Sequence, residues 1–175
     1  MLEAEIWGIA ETGDGFMVFI RPLESEYSVP IFIGQLEAQA ILIGFGGISI
    51  SRPLTSDLLQ NVITEANFEL LRIEISDLKD NTFFGSLVLQ KPGGAELIID
   101  SRPSDALALA VRCKSPIYIS ESVVDKAGII AEDLTSGKEK ITRRALLQKE
   151  LDEAVETENY ERAAEIRDLL KSLER

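Results

Sequence analysis

Histidine is absent from all 175 residues, and cysteine occurs once, at Cys113. The first absence removes the usual general base at neutral pH, imidazole ligation of zinc and every triad built on histidine. The second rules out an internal disulfide and fits a reducing, cytoplasmic setting. A metal would have to sit on carboxylates and carbonyls, which favours magnesium, manganese or calcium over zinc. No apolar run approaches the roughly 18 residues needed to cross a bilayer, so no membrane association is expected. The opening Met1-Leu2-Glu3-Ala4-Glu5 has neither the basic flank nor the apolar stretch of a signal peptide. Apolar residues make up 45% of the chain and proline and glycine are modest, so a packed core is expected and wholesale disorder is not.

Positive charge is also scarce. The net charge is −12, and residues 138–175 carry 9 Lys/Arg against 10 Asp/Glu, which leaves 9 basic and 20 acidic residues in 1–137. A sequence-independent nucleic-acid binder normally shows a basic surface, because affinity comes from neutralised phosphates. The main body repels phosphate overall, so any action on nucleic acid must come from local positive features or from metal ions.

What the chain does have is a phrase used twice. Ser51-Arg52-Pro53 runs on to Thr55-Ser56-Asp57, and Ser101-Arg102-Pro103 runs on to Ser104-Asp105. Each stands ahead of an apolar helical run, and a hydroxyl followed by an acid is how a helix start is written. A helix start gathers free N–H groups and partial positive charge. With an arginine beside each, the two copies are the expected anion-binding pair.

Around them, alternation and turn residues predict strands over residues 2–10, 16–20, 27–33, 68–75, 82–89, 95–99 and 116–119. Helical spacing predicts helices over 36–45, 56–66 and 105–113, with one helical turn at 121–126. Thr12-Gly13-Asp14-Gly15, Lys79-Asp80-Asn81 and Lys91-Pro92-Gly93-Gly94 supply turns. The order of strands, helices, strands, helix predicts an α+β fold, with helices packed on a mixed, largely antiparallel sheet. Gly44, Gly46 and Gly47 stop a helix and lack the strand-before, helix-after context of a dinucleotide site, so no nucleotide cofactor is expected, and no zinc or haem either.

Thr135-Ser136-Gly137 reads as a linker, dividing a domain over 1–134 from a helical hairpin over 138–175. Beyond it glycine and proline disappear and Lys, Glu, Arg, Ala and Leu dominate. Ala163, Ile166, Leu170 and Leu173 alternate at three- and four-residue spacing, a coiled-coil-like seam. About 35 residues is small for independent stability, so the seam is expected to pack within the hairpin and against a partner.

Val29-Pro30-Ile31-Phe32-Ile33-Gly34 with Glu37-Ala38-Gln39-Ala40 resembles the bifunctional nuclease family. So do Arg52-Pro53-Leu54-Thr55 with Asp57-Leu58-Leu59, Ile75-Ser76-Asp77-Leu78 with Thr82-Phe83-Phe84, and Asp100-Ser101-Arg102-Pro103-Ser104-Asp105-Ala106. The likeness runs colinearly over roughly residues 1–130; at position 56, where many relatives have histidine, the chain has Ser56. Glu158-Asn159-Tyr160-Glu161-Arg162-Ala163-Ala164-Glu165-Ile166-Arg167-Asp168 resembles the UVR hairpin of the excision-repair proteins UvrB and UvrC. The first resemblance implies hydrolysis of DNA and RNA; the second implies a protein–protein contact element using Tyr160, Ala163, Ile166, Leu170 and Leu173.

Neither resemblance brings a catalytic set with it. The chemistry of metal-assisted phosphodiester cleavage calls for converging carboxylates, and Glu37, Asp57, Asp100 and Asp105 are the candidates, with Asp100 and Asp105 as metal ligands for magnesium or manganese. Arg52, Arg102, Ser56 and Ser104 are the phosphate-binding candidates. Each also has a structural account: the arginines pair with Asp57 or Asp105, and the acids serve helix starts. Asp77, Asp80 and Asn81 read as turn chemistry rather than a calcium loop, Cys113 as a buried thiol, and Trp7, Phe83 and Phe84 as sheet packing. The expected function is a nuclease that acts on DNA and RNA and self-associates as a dimer or larger homo-oligomer. The rival is a non-catalytic regulatory protein that binds small anions and recruits a partner through the hairpin.

Overall fold

The computed structural model describes residues 1–13, 15–47 and 50–130. The chain divides into two compact units, Met1–Ile129 and Ile130–Arg175. The predicted hairpin and its seam residues lie outside the described residues.

The first unit is α+β. Its strands are β1 Leu2–Thr12, β2 Gly15–Pro22, β3 Tyr27–Ile33, β4 Glu69–Lys79, β5 Thr82–Gln90, β6 Glu96–Ser101, β7 Ile117–Ile119 and β8 Ile129–Ile130. Its helices are α1 Gln35–Phe45, α2 Thr55–Glu65, α3 Pro103–Cys113 and α4 Glu121–Ala127. The eight strands form one sheet in the order β6-β5-β4-β7-β1-β2-β3-β8. Local hairpins pair β1 with β2, β2 with β3, β4 with β5 and β5 with β6, all antiparallel. β7 closes the two halves into one sheet, antiparallel to β1 and parallel to β4. The β4–β5 turn has Asp80 at φ 47° and Asn81 at φ 59°. Two successive left-handed residues make the turn whose twist suits a two-residue hairpin, and Asp and Asn tolerate that conformation best after glycine.

β8 is too short to carry an alternating pattern, and sequence periodicity does not find it. The helix starts also differ from expectation. Neither hydroxyl-bearing phrase caps its helix through a side chain: the capping positions are Leu54 for α2 and Arg102 for α3. In α2 the acid does the capping instead, with Asp57 Oδ2 accepting the Leu54 N–H at 2.8 Å. In α3 Pro103 occupies the first position, where the missing N–H costs nothing.

α3 is the centre of the core. Pro103, Ser104, Ala106, Leu107, Ala108, Leu109 and Ala110 are all buried, because the helix lies on β4 and β5 with α1 and α2 beside it. Small residues let α1 come close. A Cβ added at Gly44 would stand 2.6 Å from Val111 Cγ2 and 2.9 Å from Arg112 Nη1.

Arg112 closes the last turn of α3 with only 5% of its side chain exposed. Its Nη1 donates to the carbonyls of Ala40 in α1 at 2.9 Å and Ala108 in α3 at 2.7 Å. Its Nε donates to Asp57 Oδ1 in α2. Burial alone would raise the Asp57 carboxyl, but the Leu54 N–H and the Arg112 guanidinium outweigh it and hold it below the usual carboxylate value.

Alanine in a helix interior is ordinarily favoured over glycine by roughly 0.5–1 kcal/mol, yet Gly44→Ala is expected to destabilise by about 1–3 kcal/mol, the cost of overpacking, measured by urea unfolding. Arg112→Met is expected to cost about 3 kcal/mol or more, because it strands a partly buried carboxylate. Adding Asp57→Asn should recover part of that loss, so the double mutant falls short of the sum. Because the folded Asp57 value is depressed, its stabilisation is present above the ordinary carboxylate pKa of about 3.9 and is lost as pH falls through the folded value. Asp57→Asn should remove that acid-side loss from a plot of stability against pH; an unchanged plot would show that the pair does not couple to folding.

Candidate functional site

Helices α1 and α2 pack against α3, and three hollows lie among these helices and the strands beside them. The first, about 400 Å3, is bounded by α1, α2, α3, β5 and β6. Its walls are aliphatic, with Leu59, Ile63, Leu87, Leu89 and Ile99 prominent, and its polar lining is Thr55, Ser56, Asp100, Ser101 and Asp105. Both Ser-Arg-Pro phrases thus contribute to it, Thr55 and Ser56 from the first, Ser101 and Asp105 from the second. Gly85 makes this possible: a Cβ there would lie 3.1 Å from the Ser101 carbonyl oxygen and 3.3 Å from Pro103 N, so the turn into α3 rests directly on β5.

The second hollow, about 320 Å3, is lined by Glu37, Arg102 and Ser104 together with Phe32, Thr82 and Phe83. Arg102 links it to the first. Nε and Nη2 of Arg102 grip Asp105 as a fork, at 2.7 Å to Oδ2 and 3.1 Å to Oδ1, while Nη1 donates to Glu37 Oε1 at 3.0 Å. Asp105 first, and Glu37 after it, push the guanidinium pKa up. The Arg102 side chain is nevertheless 65% exposed, and ion pairs open to solvent contribute only about 0–1 kcal/mol. The fork is therefore a resting arrangement that a phosphate can compete with.

The third hollow, about 570 Å3, holds Asp57 and Arg112 beside Ser51, Pro53, Asn61 and Lys114. Asp57 is thus committed to Arg112 and lines neither of the other two. Arg52 is exposed, lines none of the three hollows and makes no ion pair among the described residues. The two phrases share a hollow, but through their hydroxyls and acids rather than through their arginines.

Arg112 is the residue that sequence reasoning overlooked. The only signal was a lone arginine at the end of a helix otherwise built from Ala, Leu and Val, opposite a glycine in α1. Beside it, burial pushes the Cys113 thiol up more than the Arg112 charge pulls it down, so it is not an activated nucleophile. Asp77, drawn down to about 2 by Lys79, the Leu78 N–H and Lys126, is an ion-paired hairpin residue. Trp7 meets Phe19 edge to face at 6.2 Å between ring centroids and has the Arg21 guanidinium 5.7 Å away.

Among the described residues no three Asp, Glu or Cys side chains gather closely enough to cage a metal ion. Asp100 and Asp105 on the mouth of the first hollow offer a two-carboxylate edge. That fits magnesium, which commonly takes one or two carboxylates and completes its shell with water and substrate phosphate.

Comparison with known proteins gives the lineage. The bifunctional nuclease domain pattern matches residues 18–132, and the UvrB/uvrC motif matches residues 143–175. An uncharacterized protein of Mycobacterium tuberculosis is 34% identical over 117 residues, 67% of this chain and 69% of that protein. Bifunctional nuclease 1 of Arabidopsis thaliana is 25% identical over 165 residues, covering 81% of this chain and 51% of the plant protein. Bifunctional nuclease 2 of Oryza sativa subsp. japonica is 28% identical over 107 residues, 60% of this chain and 33% of the rice protein. The chain thus spans about half, or less, of these plant relatives. From β3 through β8 the sheet, α3 and the hollows it borders fall within the matched segment, and the chain belongs to the bifunctional nuclease domain family, with a UvrB/uvrC motif following the domain.

Proposed function

We propose that the domain hydrolyses phosphodiester bonds of DNA and RNA at the mouth of the first hollow. The observation that supports this most is that Asp100 and Asp105 line the first hollow while Arg102, on the neighbouring second hollow, holds Asp105 in a fork that phosphate can replace. On this reading the scissile phosphate takes the place of one carboxylate on Arg102. Freed by that exchange, Asp105 joins Asp100 in orienting the attacking water. The chain has no histidine, so carboxylates must carry the proton chemistry, and a carboxylate is a weak base for water unaided. Magnesium or manganese held by Asp100 and Asp105 would supply the missing activation and neutralise phosphate charge. Glu37 keeps Arg102 in place when Asp105 lets go. Arg52, exposed and without an ion pair among the described residues, would take a neighbouring phosphate. Ser56 borders the first hollow from α2, and Ser104 borders the second from α3.

The UvrB/uvrC motif supports a separate role for residues 143–175 as a protein-contact element, with Tyr160, Ala163, Ile166, Leu170 and Leu173 facing the partner. The charge of −12 favours a second reading, in which the domain is a regulatory anion-binding module and the hairpin recruits the partner.

The deciding experiment is cleavage of single-stranded DNA and RNA by the purified chain, with magnesium or manganese and then with chelator. Chelator should abolish turnover. Asp100→Asn and Asp105→Asn should each lower it by about 10²-fold or more, while melting changes little, since surface ion pairs carry about 0–1 kcal/mol. Arg102→Ala should weaken substrate binding at similar stability. Cleavage that survives both Asn variants would point to a contaminating enzyme and leave the regulatory reading standing.

A further inference from the structure

The first hollow is larger than phosphodiester chemistry requires, and most of its wall is of the wrong kind for it. A phosphate needs cations and N–H groups, yet no lysine or arginine lines this space. Ala40, Leu59, Ile63, Leu87, Leu89 and Ala108 make an aliphatic slot, and the charges sit to one side as two carboxylates. At about 400 Å3 it lies low in the range of small-molecule sites, roughly 300–1,000 Å3. That suits one ring system and not a length of polymer. Ser56 borders the slot, and its hydroxyl is buried without a hydrogen-bond partner among the described residues. A buried hydroxyl left unpaired is unfavourable, so a ligand that supplies the partner gains from it.

We propose that this slot receives a single unpaired nucleobase of a DNA or RNA strand, its ring between the aliphatic walls and its N–H edge toward Ser56 and the lone pairs of Asp100 and Asp105 that neither metal nor Arg102 engages. The proposal rests on the reading that the domain acts on nucleic acid, and adds which part of the substrate is buried. The chemistry matches on each side. The occupant cannot be an anion, because the rim is acidic, and the apolar walls favour an uncharged ring. It must also be rich in donors, because carboxylates only accept. Bases with an exocyclic amine satisfy both, and a carboxylate accepting from such an amine is an established base contact. Thymine and uracil, with one ring N–H and no amine, fit less well. The base must be out of its stack and out of its pair, so single strands are the substrate form and duplexes bind only with an unpairing cost. No aromatic side chain lines the slot, so the base is held by burial and hydrogen bonding rather than by stacking on a protein ring.

That last point sets the test. A 2-aminopurine placed in a single-stranded oligonucleotide is quenched by its stacked neighbours and brightens when moved into an aliphatic environment. The full chain is titrated with such an oligonucleotide in chelator, so that nothing is cleaved, and anisotropy of a distant dye reports binding independently. Emission should rise on binding. Ser56→Ala should weaken binding roughly 3–10-fold, the worth of one neutral hydrogen bond, while its melting temperature holds or rises. Leu59→Ser, at a position already 38% exposed, should abolish the rise without unfolding the protein. Binding without any rise, or a rise that Leu59→Ser leaves intact, overturns the slot while the nuclease reading stands on the cleavage assay. A rise lost in Leu59→Ser, from a chain that never cleaves, supports the slot and sinks the nuclease. A chain that binds no oligonucleotide at all removes both.

Discussion

Arg112 carries a positive charge into the middle of the helical layer, and the layer is arranged around it. A buried guanidinium is tolerated only where its donors are used. Here they reach one carbonyl in α1, one in α3 and a carboxylate in α2. Three helices that are separate in sequence are thereby tied to one planar group of fixed geometry. Gly44 is small because the guanidinium and Val111 pass beside it. Asp57 is drawn away from the other acids because Arg112 holds it. Part of the guanidinium remains unused: Nη2 has no partner among the described residues.

Most of the fold was legible in the sequence, and the parts that were not share a cause. Strands β1 to β6, helices α1 to α3 and the Asp80-Asn81 turn follow from period, turn residues and glycine, all of them local signals. The pairing of β7 with β4, in parallel, is not local, and neither is the contact of Arg112 with Asp57, 55 residues away, or with Ala40, 72 residues away. Nothing in a window of ten or fifteen residues records such a contact. The helix starts were misjudged more subtly. Serine and threonine are good caps in isolation, but here Leu54 takes the capping position and Asp57, the third helical residue, reaches back to its N–H with a charged acceptor. The residue types of the candidate site could be named from the sequence, while their grouping could not. Asp100 and Asp105 flank one turn and meet on one hollow, whereas Asp57, close in pattern to Asp105, belongs to another.

The acidity of the domain bears on the site in a specific way. With 20 acidic and 9 basic residues in 1–137, long-range attraction cannot bring a polyanion in, and association should be slow compared with electrostatically steered binders. Affinity would have to come from short-range terms: a guanidinium fork, a metal shared with phosphate, and burial of something apolar. Those terms are less sensitive to salt than a basic surface. They are also the ones that a rim of two carboxylates over an aliphatic hollow can supply.

The two Ser-Arg-Pro phrases show how spacing alone divides labour between like residues. In both, the aspartate is the third residue of the helix. In the second, Arg102 precedes Asp105 by three positions, stands at the capping site and closes on the carboxylate one turn away. In the first, Leu54 and Thr55 are interposed, so Arg52 precedes Asp57 by five positions and stands clear of the helix start. Asp57 is left to cap Leu54 and to receive Arg112 instead. The interposed pair also carries Thr55 and Ser56 round to the first hollow, where Ser101 and Asp105 arrive from the other side. One copy of the phrase thus holds its arginine on its own aspartate, and the other leaves its arginine exposed with no ion pair among the described residues.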